Sequence, residues 1–135
     1  MISSQERYEG IQSLLGKCGS DGCLFLCLLS IAEEVIDNKI DLIDVIHLCL
    51  DKGWIDKTFY VNDSLAILGY LTGKSWSRQS SPSLPVIGVK DYSVAIYHNN
   101  KTGLTHYRRR PYDTLTSSIT VRDGYIQGYY IYSWR

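Results

Sequence analysis

The pattern of apolar and polar positions changes character about half-way along the chain. Up to residue 72 it repeats at helical spacing, and from about residue 85 it alternates in the manner of strands. A first helix is predicted from Ser3, where Ser3 and Glu6 form a capping box in which each side chain satisfies the other's backbone N–H. Tyr8, Ile11, Leu14 and Leu15 fall on one face of it, Gly16 stops it, and Gly19-Ser20-Asp21-Gly22 makes a tight turn. A second helix is predicted from Cys23 to about Ile36. Leu24, Phe25, Leu26, Cys27, Leu28, Leu29, Ile31 and Ala32 leave its first two turns no polar face, and a helix apolar all round is a buried one. A third helix runs over 42–52 behind an Asp41 cap, turning Leu42, Val45, Ile46, Leu48 and Leu50 inward and ending at Gly53. A fourth runs from Ser64 to about Leu71, capped by Asp63 and closed by Gly73.

Residues 73–84 are rich in Ser and Pro and are expected as a loop. Strands are predicted over 86–89, 92–97, 104–109 and 125–134, with hairpin turns at Asn99-Asn100-Lys101-Thr102-Gly103 and Arg122-Asp123-Gly124. Helices first and an antiparallel sheet second define an α+β domain, with the apolar helix central and packed on the sheet. The expected organisation is one domain over 1–135: a helical half (1–72), a loop (73–84) and a sheet half (85–135).

The chain has 135 residues, the length of one domain, and 44% of them are hydrophobic against 21% charged, which excludes a disordered tail protein. The N-terminus lacks a basic region followed by an apolar core, and the most apolar stretch, 23–36, is too short to span a membrane, so a cytosolic chain with no membrane partner is expected. In that compartment Cys18, Cys23, Cys27 and Cys49 are expected as buried or catalytic thiols rather than disulfides. The 14 basic and 14 acidic side chains cancel, but not locally. Residues 1–72 hold five basic and eleven acidic side chains, net −6; residues 73–135 hold nine and three, net +6. Neutrality therefore disfavours anionic partners only for the whole molecule seen from afar.

Two features carry candidate chemistry. Cys23 follows Gly22 at the head of the apolar helix, where the dipole and unsatisfied N–H groups stabilise a thiolate and can hold an oxyanion. A cysteine there is equally a small buried hydrophobe, as core cysteines usually are. The second feature is His106-Tyr107-Arg108-Arg109-Arg110-Pro111-Tyr112. On a strand Arg108 and Arg110 share one face and Arg109 takes the other. Guanidinium forks bind phosphate or carboxylate, and tyrosines stack on bases. Charged residues also serve simply to blunt a sheet edge.

The run from Gly22 to Glu34, GCLFLCLLSIAEE, resembles the nucleophile helix of papain-like cysteine peptidases. The nearest type is the bacteriocin-leader-processing one, and within it a small group carried by phages and plasmids. Gly53-Trp54-Ile55-Asp56, Val61 to Gly69, and Ser118-Ile119-Thr120-Val121-Arg122-Asp123-Gly124 follow in the order the resemblance implies, over about residues 10–133. It implies a papain-like fold with Cys23 as nucleophile. Tyr92 (or Asp91) stands where the family's histidine belongs, Arg110 where its orienting acid belongs, and Lys17 near its oxyanion glutamine, with Gln12 farther off. Tyrosine, with a pKa near 10, is a poor base at neutral pH. These departures imply the fold without the catalysis.

The leading expectation is therefore a non-catalytic binding protein on a degraded papain-like fold, directed at a host defence protein or an anionic ligand. Its binding residues are Tyr92, Tyr107, Arg108, Arg109, Arg110 and Tyr112. The rival is an active cysteine peptidase or amidase in which His106, placed opposite Ile96 or Ala95 in a hairpin centred on Asn100-Lys101, or His98, serves Cys23 as base. His47, on the third helix, is expected as an ordinary surface or core side chain. A third reading is a nucleotide or nucleic-acid binder using the Arg108–Arg110 strand. No cofactor is expected, since Gly16-Lys17-Cys18-Gly19 does not match a phosphate loop. No metal is expected either, since the cysteines do not form matched Cys-x₂-Cys pairs.

Overall fold

A computed structural model describes residues 22–83, 88–101, 103, 105–110 and 124–135. The expected helix from Ser3 with its capping box, the first two residues of the strand over 86–89, and the site residue Tyr112 lie outside them. The fold is α+β, as the patterning predicts. Among the described residues three helices, α1 (Gly22–Ile36), α2 (Leu42–Lys52) and α3 (Ser64–Thr72), precede four strands, β1 (Trp76–Ser81), β2 (Asp91–Asn99), β3 (Thr105–Arg110) and β4 (Gly124–Trp134). The chain divides into two compact units, Met1–Lys74 and Ser75–Arg135.

In the helical unit α1 is buried as its composition requires. Phe25, Leu28, Leu29, Ile31 and Ala32 are wholly excluded from solvent. Burial of each larger member contributes roughly 1.5–3 kcal/mol. α1 packs against α3, whose Ile67 and Leu68 are likewise buried. Glu33, buried at the far end of α1, accepts the Ile40 N–H at 3.1 Å and so ties down the turn into α2. Both predicted caps are present: Asp41 accepts from Asp44 N and Asp63 from Ala66 N. Gly53 and Gly73 end their helices at φ 73° and 70°, the left-handed conformation that a side chain disfavours.

The loop between α2 and α3 is organised by one carboxylate. Asp56 Oδ1 accepts from Thr58 N, Thr58 Oγ1 and Tyr60 N, at 2.8, 2.6 and 3.1 Å. The loop is closed by an Ile55–Val61 bridge. It holds Phe59 at φ 66° with its ring 6.3 Å from that of Phe25. The Thr58 hydroxyl and amide hold the Asp56 carboxyl below its usual 3.8. A carboxylate so shifted stabilises the fold above its ordinary pKa and loses that contribution as pH falls through the lowered value. Asp56→Ala is expected to lower the urea midpoint at neutral pH. The gap to the parent should narrow as pH falls below about 4, which urea titrations of both proteins at several pH values would measure.

In the sheet unit the strand order is β1-β4-β2-β3, antiparallel throughout. Three expectations are corrected. Residues 76–81, expected within a loop, form the edge strand β1, because pairing with β4 (Trp76 opposite Trp134, Ser81 opposite Tyr129) supplies the backbone bonds that its polar sequence does not advertise. Gly88 and Val89, expected to end a strand, form a turn: the Gly88 N–H donates to Asp91 Oδ2 at 2.8 Å and Asp91 N donates to Gly88 O at 3.2 Å. Asn99 to Gly103 is a turn as predicted, closed by Gly103 N donating to Asn99 O. Its centre lies one residue later than expected, so His106 pairs with Tyr97 rather than with Ile96 or Ala95.

One face of the sheet carries Ala95, Tyr97, Tyr129 and Ile131 as a buried cluster, with Ile126 packed against it. Between Ile96 and Tyr97 the register jumps: Ile96 pairs with Gly128 and Tyr97 with Ile126, leaving Gln127 as the extra residue of a β-bulge. Among the described residues no helix is long and apolar enough to cross a membrane.

Candidate functional site

Cys23 sits in the first turn of α1 and is 8% exposed. Cys27, one turn on, and Cys49 in α2 are also buried, and burial pushes the Cys49 thiol up to about 11, so that it stays protonated at neutral pH. Among the described residues no three His, Cys, Asp or Glu side chains are placed to hold a metal ion.

Tyr92, at the position the resemblance gives to a histidine, lies near the start of β2, half-buried and opposite Tyr132 of β4. Its ring is 5.9 Å from that of Trp76, and the Arg109 guanidinium lies 5.8 Å from its centroid. The register sets His106 level with Tyr97. At ~3.3 Å per residue that is about 16 Å along the strand from Tyr92. His98 lies near the turn, its ring 5.4 Å from that of Tyr125.

What the sheet brings together is a set of rings and cations. The even-numbered residues of β2 share a face with Trp76, Arg78 and Ser80 of β1, with Tyr107 and Arg109 of β3, and with Tyr130, Tyr132 and Trp134 of β4. On it the Arg78 guanidinium lies 4.6 Å from the Tyr130 centroid, and the Lys90 ammonium lies 4.8 Å from the Trp134 ring. Tyr107 and Tyr130 stack at 6.2 Å with their planes 16° apart. Val94, Tyr132 and Arg109 are buried on this face, whereas Arg78 and Lys90 are exposed. Arg108 and Arg110 pair with Ala95 and Ser93, the register positions of the opposite face, as strand periodicity predicts.

Asp91 is the one acidic residue among the described residues of the sheet unit, and it is engaged elsewhere. It accepts from Ser133 Oγ at 2.6 Å and from Gly88 N, and these bonds hold its carboxyl below the usual range. A cation over a ring contributes about 0.5–1 kcal/mol at an exposed site, so these contacts orient the guanidinium and ammonium groups more than they stabilise the sheet. The chemical capacity of the face is to stack flat groups and neutralise anions.

The sequence pattern singled out Tyr92, Tyr107 and Arg109 and missed Trp76, Arg78 and Lys90. Trp76 and Arg78 are two apart, the spacing of one strand face, which a strand reading of that serine-rich segment would have exposed.

Where rings give way to Gly128, the same face holds a groove of about 270 Å³, lined by Ser80, Ser81, Pro82, Ile96, Gln127 and Gly128 together with Tyr129. A Cβ on Gly128 would sit 2.9 Å from the Ser81 carbonyl oxygen, so glycine is what lets β1 close on β4 here. Gly128→Ala is expected to cost about 1–3 kcal/mol, the usual penalty of overpacking, read as a lower urea midpoint with unchanged slope. Compared with protein-family models, curated proteins and solved structures, the chain matches none.

Proposed function

We propose that the protein is a non-catalytic binding protein, acting in the cytoplasm on a scaffold resembling a papain-like cysteine peptidase, whose sheet captures an anionic partner. The observation that carries this reading is the pair of exposed cations held over rings on one sheet face, Arg78 on Tyr130 and Lys90 on Trp134. The loss of catalysis is supported by Tyr92, whose ring packs between Trp76 and Arg109 at the position where the family's chemistry needs an imidazole.

The test is retention on immobilised heparin. The parent is expected to elute only at raised salt, and Arg78→Glu with Lys90→Glu to elute early, since each lost cation releases fewer counterions on binding. Cys23→Ala is expected to elute with the parent. Rapid iodoacetamide labelling of Cys23 near neutral pH, together with a hydrolytic activity that Cys23→Ala abolishes, would instead establish a cysteine hydrolase.

A further inference from the structure

We infer that the anionic partner is a nucleotide unit, a flat base carrying a phosphate, and that its base enters the groove at the β4 bulge. This rests on the binding role given to the cationic face and names the ligand class for it.

The groove exists because of two sequence features. Gly128 puts no side chain on the face where Tyr130 and Tyr132 put rings, and the unpaired Gln127 bends β4 between Tyr125 and Gly128. At about 270 Å³ it lies just below the range for drug-sized ligand sites, about 300–1,000 Å³. That suits a single heterocycle better than a folded peptide. Ile96 offers the groove an apolar wall, while the exposed Ser80 hydroxyl and Gln127 amide offer donors and acceptors, the Ser81 hydroxyl being given to the Ser83 carbonyl. Rings stand on both sides along β4: Tyr130, already stacked on Tyr107, and Tyr125, 52% exposed beside His98.

The phosphate position follows from β1. Arg78 is two residues from Ser80 and on the same face, hence about 6.6 Å along the strand from the groove. Its guanidinium is exposed and held over Tyr130, so the fork is oriented before any ligand arrives. An acidic peptide would satisfy the charge but would leave the ring-flanked slot empty. A nucleotide fills both, stacking being tolerant of base identity.

The experiment measures binding of adenosine monophosphate, a single-stranded oligo-dT and poly-glutamate to the full chain by fluorescence anisotropy and competition. Three proteins are compared: the parent, Ser80→Trp, which fills the groove from an exposed edge position, and Tyr125→Ala, which removes an exposed ring. Oligo-dT is expected to bind, and adenosine monophosphate to compete with it. Each variant is expected to lose about 5- to 150-fold in oligo-dT affinity, the range for loss of one stacked base, while heparin retention stays at the parent's level. If adenosine monophosphate binds and oligo-dT does not, the same chemistry serves a free nucleotide. If heparin binds but neither nucleotide form does, or if poly-glutamate competes as well as oligo-dT, the nucleotide assignment falls and the anionic-partner reading stands. If heparin does not bind either, the anionic-partner reading itself fails. Unchanged oligo-dT affinity in a folded Ser80→Trp protein overturns the placement in the groove.

Discussion

Phe25→Ala is expected to destabilise the helical unit by about 3–5 kcal/mol, the range for truncating a fully buried aromatic side chain. Phe25 lies in the first turn and a half of α1, is wholly excluded from solvent, and meets the Phe59 ring at 6.3 Å. The truncation removes one ring and leaves a void that the close-packed core around it collapses into only partly. It also takes away the contact of a residue held at φ 66°, a conformation that costs energy for a non-glycine residue. Leu24, the adjacent residue, is half-buried and serves as the control, with a loss of about 1–2 kcal/mol at most for a side chain only partly buried. Urea unfolding followed by circular dichroism at 222 nm separates the two. A loss for Phe25→Ala no larger than that for Leu24→Ala would show that Phe25 is not a core residue.

The helices were legible because their signals are local. The apolar run after Gly22, the aspartates before α2 and α3, and the glycines after them each act within a turn or two, and the boundaries follow within a residue or so. β1 was not legible because its stabilising partner is remote. Trp76-Ser77-Arg78-Gln79-Ser80-Ser81 has one large apolar residue, and an edge strand open on one side needs no more. Gly88 and Val89 failed in the other direction: Val86-Ile87-Gly88-Val89 has the composition of a strand, but the Asp91 carboxylate captures the Gly88 N–H and turns the chain. The site was half legible. The arginine triplet is visible in the sequence, and its alternation across the two faces follows from strand periodicity. That Arg78 joins Arg109 on one face depends on the last strand of the chain inserting between the other strands, in the order β1-β4-β2-β3, and no spacing in the sequence encodes that.

Deletion of single residues in β4 is expected to give unequal results at Gln127 and at Tyr130. Tyr125 and Tyr130 share the ring face, while Ile126 and Tyr129 share the buried one, and this parity holds only because Gln127 is extra. Removing Gln127 leaves Gly128 opposite Ile96 and Ile126 opposite Tyr97 in an unbroken ladder, with every side chain on the face it already occupies. Removing Tyr130 can be absorbed only by giving up the bulge: Gln127 then falls opposite Ile96 and Tyr125 and Ile126 keep their faces, while Gly128 and Tyr129 turn over and Tyr129 leaves the cluster around Ala95 and Tyr97. At roughly 1.5–3 kcal/mol for the displaced ring, with the Tyr130 ring lost as well, that is a substantial part of the roughly 5–15 kcal/mol that holds a typical domain together. The Gln127 deletion should therefore give a cooperative unfolding transition within about 1–2 kcal/mol of the parent, as expected for removal of an exposed, unpaired residue. The Tyr130 deletion should unfold at a clearly lower urea concentration. Near-ultraviolet circular dichroism, which reads the packing of the tyrosines and tryptophans, distinguishes the two directly. The same pair separates fold from function, because straightening β4 removes the bend and the amide that shape the groove. A folded Gln127 deletion that still elutes late from heparin but no longer binds oligo-dT would place recognition of the base at the bulge and attraction of the phosphate at Arg78.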